Sequence, residues 1–390
     1  MNYLTILSLF GLLQYTLPQS SPYQTITGFV IDAETGYPLE LANVFLANSS
    51  IGDVSDKDGY YEIRFIPPGK FDLVASVIGY EIEISEITST ISAPEKLTVN
   101  FNLVKKAIEL PEVIVTGRDK RIWKRRLAKF TRNFLGESQN GKESYIQNEN
   151  ALRFEVDESG TLTARAYETL EIINLSLGYN IHYILDEFEL TSKHIRYSGS
   201  PHFTELTASS QRELIEWKEN RENTFKGSLR HFLTTICDNY YQTQGDVKER
   251  DKVFHWRNVI KHSVKVTYKD TTLIEKEGFF VLIVDDPFGN NQTANRQLVN
   301  TNWFLTPSDN PAEMYLQIKG YLEVHYEKES FPFRRSFGTG MQTSWIKVTT
   351  GSPVLDKLGR YYDKYSIKTS GTWAKERVAD MLPFDYSINN

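Results

Sequence analysis

The chain has 390 residues and a single cysteine, Cys237. One thiol excludes an intrachain disulfide and any cysteine-based zinc or iron–sulfur site. Within HFLTTICDNYY it reads as a small core residue. Past residue 13, no apolar run approaches the roughly 20 residues that a membrane helix needs. There is no G-x-S-x-G elbow for a serine hydrolase, and no G-x-G-x-x-G or P-loop for a nucleotide. Positive charge is in short supply too. Lys and Arg number 44 against 50 Asp and Glu, a net charge of -6, which argues against a dedicated nucleic-acid binder.

What is present describes a folded, strand-rich protein. Hydrophobic residues make up 40% and charged residues 24%. Aromatics reach 13%, which favours strands over helices. A chain of this length is too long for one small core, so two domains are expected. Residues 1–20 read as an export signal. A ten-residue apolar run, Leu4 to Leu13, has the size of a signal-peptide core and is followed by small polar residues near Ser20. The stretch lacks Lys or Arg before that core, and no cysteine follows it to carry a lipid. The expected location is the periplasm or the outer-membrane surface.

Residues 24–117 alternate in short strands punctuated by Gly and Pro. TITGFVID, LANVFLA, YYEIRFI, FDLVASVIGY, LTVNFNLV and PEVIVTG are the main pieces. About seven strands in under 100 residues predict an all-β sandwich. In YYEIRF, alternation sets Tyr61, Ile63 and Phe65 against Tyr60, Glu62 and Arg64. The stretch GDVSDKDGYYEI crowds Asp53, Asp56 and Asp58 before Gly59, which raises the question of calcium. With Gly59 at position 6 of an EF-hand loop, positions 1 and 12 fall on Val54 and Phe65, and neither donates oxygen. A hairpin turn with Gly59 at positive φ is the simpler reading.

Several spaced signals in this region resemble the carboxypeptidase-like regulatory domain: Gly28, the D..TG.PL..A.V run from Asp32 to Val44, SDKDGYYEI, PPGKFDL and GYE. The resemblance covers residues 26 to about 104. It implies a transthyretin-like or Ig-like β-sandwich that packs or binds and does no chemistry. ELPEVIVTG, residues 109 to 117, resembles the segment leading into the plug of TonB-dependent receptors, but the 273 residues that follow are too few for a plug and barrel. What that likeness implies is a Bacteroidetes-type cell envelope.

Residues 118–390 predict a larger α+β domain that could divide into two subdomains. Trp123, Leu127, Phe130 and Phe134 recur at helical spacing, opposite eight Lys and Arg between Arg118 and Arg132. The aromatic stripe reads as core rather than as a membrane anchor. A second helical stretch spans Ser209 to Asn239, with Phe225, Leu229, Phe232 and Ile236 on one face and Gly227 interrupting it. Trp217, Arg221 and His231 on that stretch, and Trp373, Glu376 and Arg377 near the end, read as groups that seal elements together. Pro383 and Phe384 are expected to pin the tail against the second domain. FLGES, LGYNIHYILDEFEL, WKENRENTFKGSLRHFL and ERVADMLPFDY resemble an uncharacterised family of Bacteroidetes envelope proteins, which implies no activity.

Enzyme chemistry finds little support. His202 and Glu205 form an H-x-x-E that could bind zinc with a later His325. SGSPHFTE reads as an irregular connection, however, and Glu is common enough for a chance match. Asp186–Glu187 and Asp285–Asp286 are carboxylate pairs near strand ends. Neighbours on a strand point oppositely, so each pair reads as a loop boundary. The sequence therefore names no catalytic, cofactor-binding or metal residue. The expectation is an exported, non-enzymatic envelope protein that binds protein or glycan through its second domain, with a secreted hydrolase of peptides or glycans as the alternative.

Overall fold

A computed structural model describes residues 23–90, 96–106, 117–242, 249–251, 267–269, 277–288, 296–299, 301–310, 313–327 and 342–388. The leader, residues 1–20, and nearly all of ELPEVIVTG lie outside the described residues. The chain is mostly β.

The first sandwich runs β1 Gln24–Asp32, β2 Asn43–Leu46, β3 Gly52–Val54, β4 Tyr60–Ile66, β5 Gly69–Ser76, β6 Glu83–Ser89, β7 Lys96–Thr98 and β8 Phe101–Leu103. One sheet is β4-β1-β7 with β8 also on β1; the other is β3-β2-β5-β6. The predicted alternation holds for most positions. Val44, Leu46, Phe71, Leu73, Ala75, Phe101 and Leu103 fill the space between the sheets. Phe65 departs from it. The β1–β4 register slips between Gln24 and Ile26, and Phe65 takes φ 62°. The extra residue of this bulge turns Phe65 out to 70% exposure and brings Ile66 in.

A helix α1, Gly117–Phe134, and a single turn α2, Gln139–Lys142, lead into the central sheet. Its strands are β9 Ser144–Ile146, β10 Leu152–Val156, β11 Leu162–Ala166, β12 Leu170–Asn174, β13 Tyr179–Leu190 and β14 Ile195–Glu205. β13 is the spine. It pairs with β12 and then β11 on one edge, and with β14 along the other. α1 lays Leu127, Phe130 and Phe134 on one face of this sheet, where they meet Phe154, Tyr183 and Phe188. The aromatic stripe is therefore core.

Next come α3 Gln211–Phe225 and α4 Leu229–Gln242. The predicted helical stretch is two helices, broken where Gly227 takes φ 76°. A Cβ there would lie 2.6 Å from the Tyr326 ring, so only glycine fits. The freed Gly227 carbonyl accepts from Trp373 Nε1 at 2.7 Å and Gln342 Nε2 at 3.0 Å. β15 Glu249–Asp251 and β16 Thr267–Lys269 pair with each other. A further sheet, β18-β17-β21-β22-β24, contains β17 Phe279–Val284, β18 Arg296–Leu298, β21 Tyr321–Tyr326, β22 Gln342–Val348 and β24 Ile367–Gly371. A small one, β19-β20-β23, contains β19 Leu305–Pro307, β20 Glu313–Leu316 and β23 Val354–Asp356. α4 covers this C-terminal core with Phe232, Leu233, Ile236 and Cys237.

The tail ties the parts together. Trp373 lies in the C-terminal core, and Val378 and Ala379 lie in the central one. Phe384 lies in the first sandwich, 5.3 Å from Phe71. The expectation that Phe384 pins the tail to the second domain is thus corrected: its amide donates to Asn48 O at 2.8 Å, and its ring fills the first core. Arg230 of α4 grips the same segment, donating to the Pro383, Phe384 and Tyr386 carbonyls.

Candidate functional site

Two of the three aspartates in GDVSDKDGYYEI accept from backbone amides. Asp56 Oδ1 accepts from the Asp58 and Tyr60 amides, both at 2.9 Å, and Asp53 Oδ2 accepts from the Glu62 amide at 2.8 Å. Gly59 has φ 75° as the turn reading requires. The turn differs from a hairpin in one respect: β3 and β4 belong to different sheets, so it carries the chain across the sandwich. Among the described residues, no group of three His, Cys, Asp or Glu could hold a metal.

The H-x-x-E pair also serves structure. SGSPHFTE is not an irregular connection. It forms most of the regular strand β14, paired residue by residue with β13. An i, i+3 pair on a strand faces opposite ways. Glu205 accordingly meets Arg221, while His202 faces the first sandwich. His325 belongs to a different sheet. His202 Nδ1 donates to Ser49 O at 3.1 Å, and its ring stacks on Phe45 at 4.7 Å. Burial, reinforced by the nearby His182, pushes its pKa down to about 4.

Around His202 the first sandwich docks on the central sheet. Phe45, Ala47 and Val74, on the outer face of the β2–β5 pair, pack with Ile184 of β13. A parallel bridge joins Ser49 to His202, with Asn48 N donating to Pro201 O at 2.7 Å and Phe203 N to Ser49 O at 2.9 Å. Sequence alternation gave Val74 no reason to be buried, because its face looks outward from its own sandwich.

Asp186 and Glu187 do not mark a loop boundary. They sit inside β13 at a second bulge, between the pairs Leu185–Gly199 and Glu187–Ser198. The bulge shifts the inward positions from Ile181 and Tyr183 to Phe188 and Leu190, so all four reach one core. Asp186 meets Lys364 at 2.7 Å, and Glu187 accepts from Tyr365 Oη at 2.7 Å. Asp285 and Asp286 follow β17 directly, as a loop boundary should. Trp217 Nε1 donates to Leu175 O at 2.8 Å, Arg221 Nε to Leu177 O at 2.7 Å, and the guanidinium lies 4.0 Å from the Tyr179 ring centre. These two seal α3 to the β12–β13 turn. His231, on α4, accepts from the Gly227 amide at 3.0 Å. Glu376 accepts from the Leu229 amide, and Arg377 donates to Glu376 O. Burial lifts the Cys237 thiol to about 12, so it is inert.

The grouping with most chemistry lies on the C-terminal sheet and escaped sequence reasoning. Leu322, Val324 and Ile346 face the core. The alternate positions Tyr321, Glu323 and His325 of β21, and Thr343, Trp345 and Lys347 of β22, therefore share the opposite face. Thr343 stands directly across from His325, and Trp345 across from Glu323. His325 Nδ1 lies 3.0 Å from Thr343 Oγ1 and Nε2 lies 3.0 Å from Glu323 Oε1, while Trp345 Nε1 donates to Glu323 Oε2 at 2.9 Å. Glu323 and His325 are 4% and 6% exposed. Phe288, 56% exposed, rests edge-on against Tyr321 at 5.7 Å and Trp345 at 5.2 Å. Lys347 Nζ lies 4.9 Å from the Tyr321 ring centre. Hydroxyl, imidazole and carboxylate in series can activate a nucleophile. Here they are neighbours in a regular sheet, and their shared hydrogen bonds satisfy a buried carboxylate and set the Trp345 indole.

The first sandwich carries its own signature. Asp32 Oδ1 accepts from the Glu34 and Thr35 amides at 2.9 and 2.8 Å, and Oδ2 accepts from Tyr80 Oη at 2.8 Å. The Thr35 amide first, then the Tyr80 hydroxyl and Lys105, hold this carboxyl well below the usual carboxylate range. The D..TG run and the later GYE thus meet in one buried polar knot. Residues 26–115 match the CarboxypepD_reg-like domain family. This part of the chain is a CarboxypepD_reg-like domain. Over 103 residues the chain is 29% identical to the TonB-dependent receptor P39 of Formosa agariphila, a match that covers 26% of this chain and 9% of the receptor. Among solved structures, the pilus 2b backbone protein of group B streptococcus is 18% identical with a TM-score of 0.19, covering 23% of this chain and 43% of that one. A DUF3823 family protein of Bacteroides ovatus is 13% identical with a TM-score of 0.17, covering 48% and 83%. At those scores neither structure bears on function. Among the described residues, no helix is long and apolar enough to cross a membrane.

Proposed function

We propose that the chain is an exported, non-enzymatic protein of the cell envelope. In this reading the regulatory-like domain, residues 24–117, is a packing module, and residues 118–390 bind a protein or glycan. The observation that carries it is the Phe288–Tyr321–Trp345 group with Lys347 at its side. A half-exposed Phe288 on partly buried Tyr321 and Trp345, beside a cation, offers apolar faces with polar edges, which suits sugar rings and protein side chains alike. The regulatory-like domain supports the reading because one of its two outer faces, that of the β2–β5 pair, is docked on the central sheet. The likeness to an outer-membrane receptor supports the envelope setting, as does the apolar leader.

The test is retention of the purified chain on immobilised envelope polysaccharides and envelope proteins. Phe288→Ala should cut retention at least tenfold while leaving the melting temperature within a degree or two, because the ring is more than half exposed. Unchanged retention would remove this surface from consideration. A hydrolase is the second reading, and the Thr343–His325–Glu323 series favours it. Turnover of peptide or glycan pools that Thr343→Val abolishes, in a protein that still melts normally, would replace the binding reading.

A further inference from the structure

We propose that the exposed face of α1 docks the protein on an anionic phospholipid surface. The core takes the Leu127–Phe130–Phe134 stripe, and Trp123 and Arg126 fix the helix's rotation by donating to Leu152 O and Phe154 O. The opposite side is a cationic row. Arg118, Arg121, Arg125, Lys129 and Arg132 recur at three or four residues, flanked by Lys120 and Lys124, and all seven are exposed. Of these only Arg132 forms an ion pair among the described residues, with Glu137 at 3.7 Å. Asp119 is the one acid on the helix. An open groove alongside adds Lys142 to the cations and Glu149 to the acids. An 18-residue helix is about 27 Å long, so the row is an extended array rather than a pocket for one anion.

The shape of this array selects its partner. A protein interface is depleted in lysine at its centre and is anchored by a buried aromatic or aliphatic side chain. The cationic row itself projects no such anchor: of the apolar groups lining the groove beside it, Leu127 is buried, Trp123 is packed on the core with its indole bonded to Leu152 O, and Ala128 is small. An anionic membrane asks only for clustered Lys and Arg near its surface. It also tolerates the overall charge of -6, since charges beyond about 10 Å are screened at 0.1 M salt. The row projects no large apolar side chain, so binding should be chiefly electrostatic and reversible.

The experiment is co-flotation of the full chain with vesicles of phosphatidylcholine alone and of phosphatidylcholine with phosphatidylglycerol. Binding is expected to the second only, and to vanish in half-molar salt. Replacing Arg121, Lys124, Arg125 and Lys129 by Gln should lower partitioning about a hundredfold or more, at about fivefold per cation. Replacing the exposed Lys57, Lys193 and Lys218 should leave it unchanged. An unchanged circular dichroism spectrum shows that the α1 variant still folds. Equal binding to both vesicle types, no binding to either, full binding by the α1 variant, or binding to soluble polyphosphate without binding to vesicles would each overturn the proposal.

Discussion

Acid should loosen the seam between the regulatory-like domain and the central sheet, and His202 should be the group responsible. The imidazole is neutral in the docked state. Its Nδ1–H is directed at Ser49 O, its ring lies on Phe45, and His182 lies 6.1 Å away, itself held by Glu171. Asp385 is the carboxylate nearby that favours the charged form, and it is outweighed by burial. The docked pKa is about 4 against an ordinary 6.5. The undocked state therefore takes up the proton first, and stability falls as pH drops below 6.5. The loss is complete near pH 4 and amounts to about 3 kcal/mol, with about 2 kcal/mol of it gone by pH 5. Hydrogen exchange offers a local assay through the amides of Asn48 and Phe203, which bond across the seam. Corrected for intrinsic exchange, their protection should fall about twentyfold between pH 7 and pH 5. His202→Asn keeps a donor toward Ser49 and removes the titration. It should be less protected at pH 7, through loss of the stacked ring, yet nearly flat with pH. Parallel slopes for the two proteins would refute the assignment and move the acid response to the carboxylates.

Three further outcomes follow from other contacts. Gly59→Val should destabilise the regulatory-like domain by about 1–3 kcal/mol in urea unfolding, because a β-branched residue resists φ 75° and its Cβ would lie 2.6 Å from Val30 O. Melting in millimolar calcium should match melting in EDTA, since backbone amides already use the Asp53 and Asp56 oxygens; a rise of several degrees would contradict the turn. Phe384→Ala should cost about 3–5 kcal/mol and raise exchange in the first sandwich as well as in the tail, because the ring lies in the first core; exchange rising in the tail alone would show that Phe384 does not bridge them.

Period-two alternation made the sandwich legible, and the 3.6-residue period made α1 legible, because both patterns record which face meets a core. Features that depend on a partner strand left no local trace. Phe65 follows the alternation in sequence, yet a one-residue slip against β1 expels it. The same device in β13 carries Asp186 and keeps Phe188 inward. His202 sits in an SGSP context that reads as loop, and only its pairing with β13 makes it strand. The Thr343–His325–Glu323 series needs β21 and β22 in one register, and a slip of one residue would send each side chain to the other face. Two features offered a usable signal in hindsight. YLEVHY places Glu323 and His325 two apart on one face, and QTSWIKV does the same for Thr343 and Trp345.

The tail shows why the regulatory-like domain is better regarded as part of one assembly than as a bead on a string. Within 12 residues the chain passes from Trp373 in the C-terminal core, through Val378 and Ala379 in the central core, to Phe384 in the first. Arg230 is partly buried beside this path and sends donors to three tail carbonyls, and the desolvation lowers its pKa to about 10. A charge is held there only if its hydrogen bonds are all in place, so loosening the tail at one core exposes an unsatisfied cation at the junction of all three. The outer face of the β2–β5 pair is likewise sealed on Ile184. That face is closed to partners, and the two surfaces proposed above lie elsewhere: the aromatic group over β21 and β22, and the cationic side of α1. They differ in chemistry, one apolar and one charged, so salt separates them. Ligand retention through Phe288 should persist in half-molar salt, whereas vesicle binding through α1 should not.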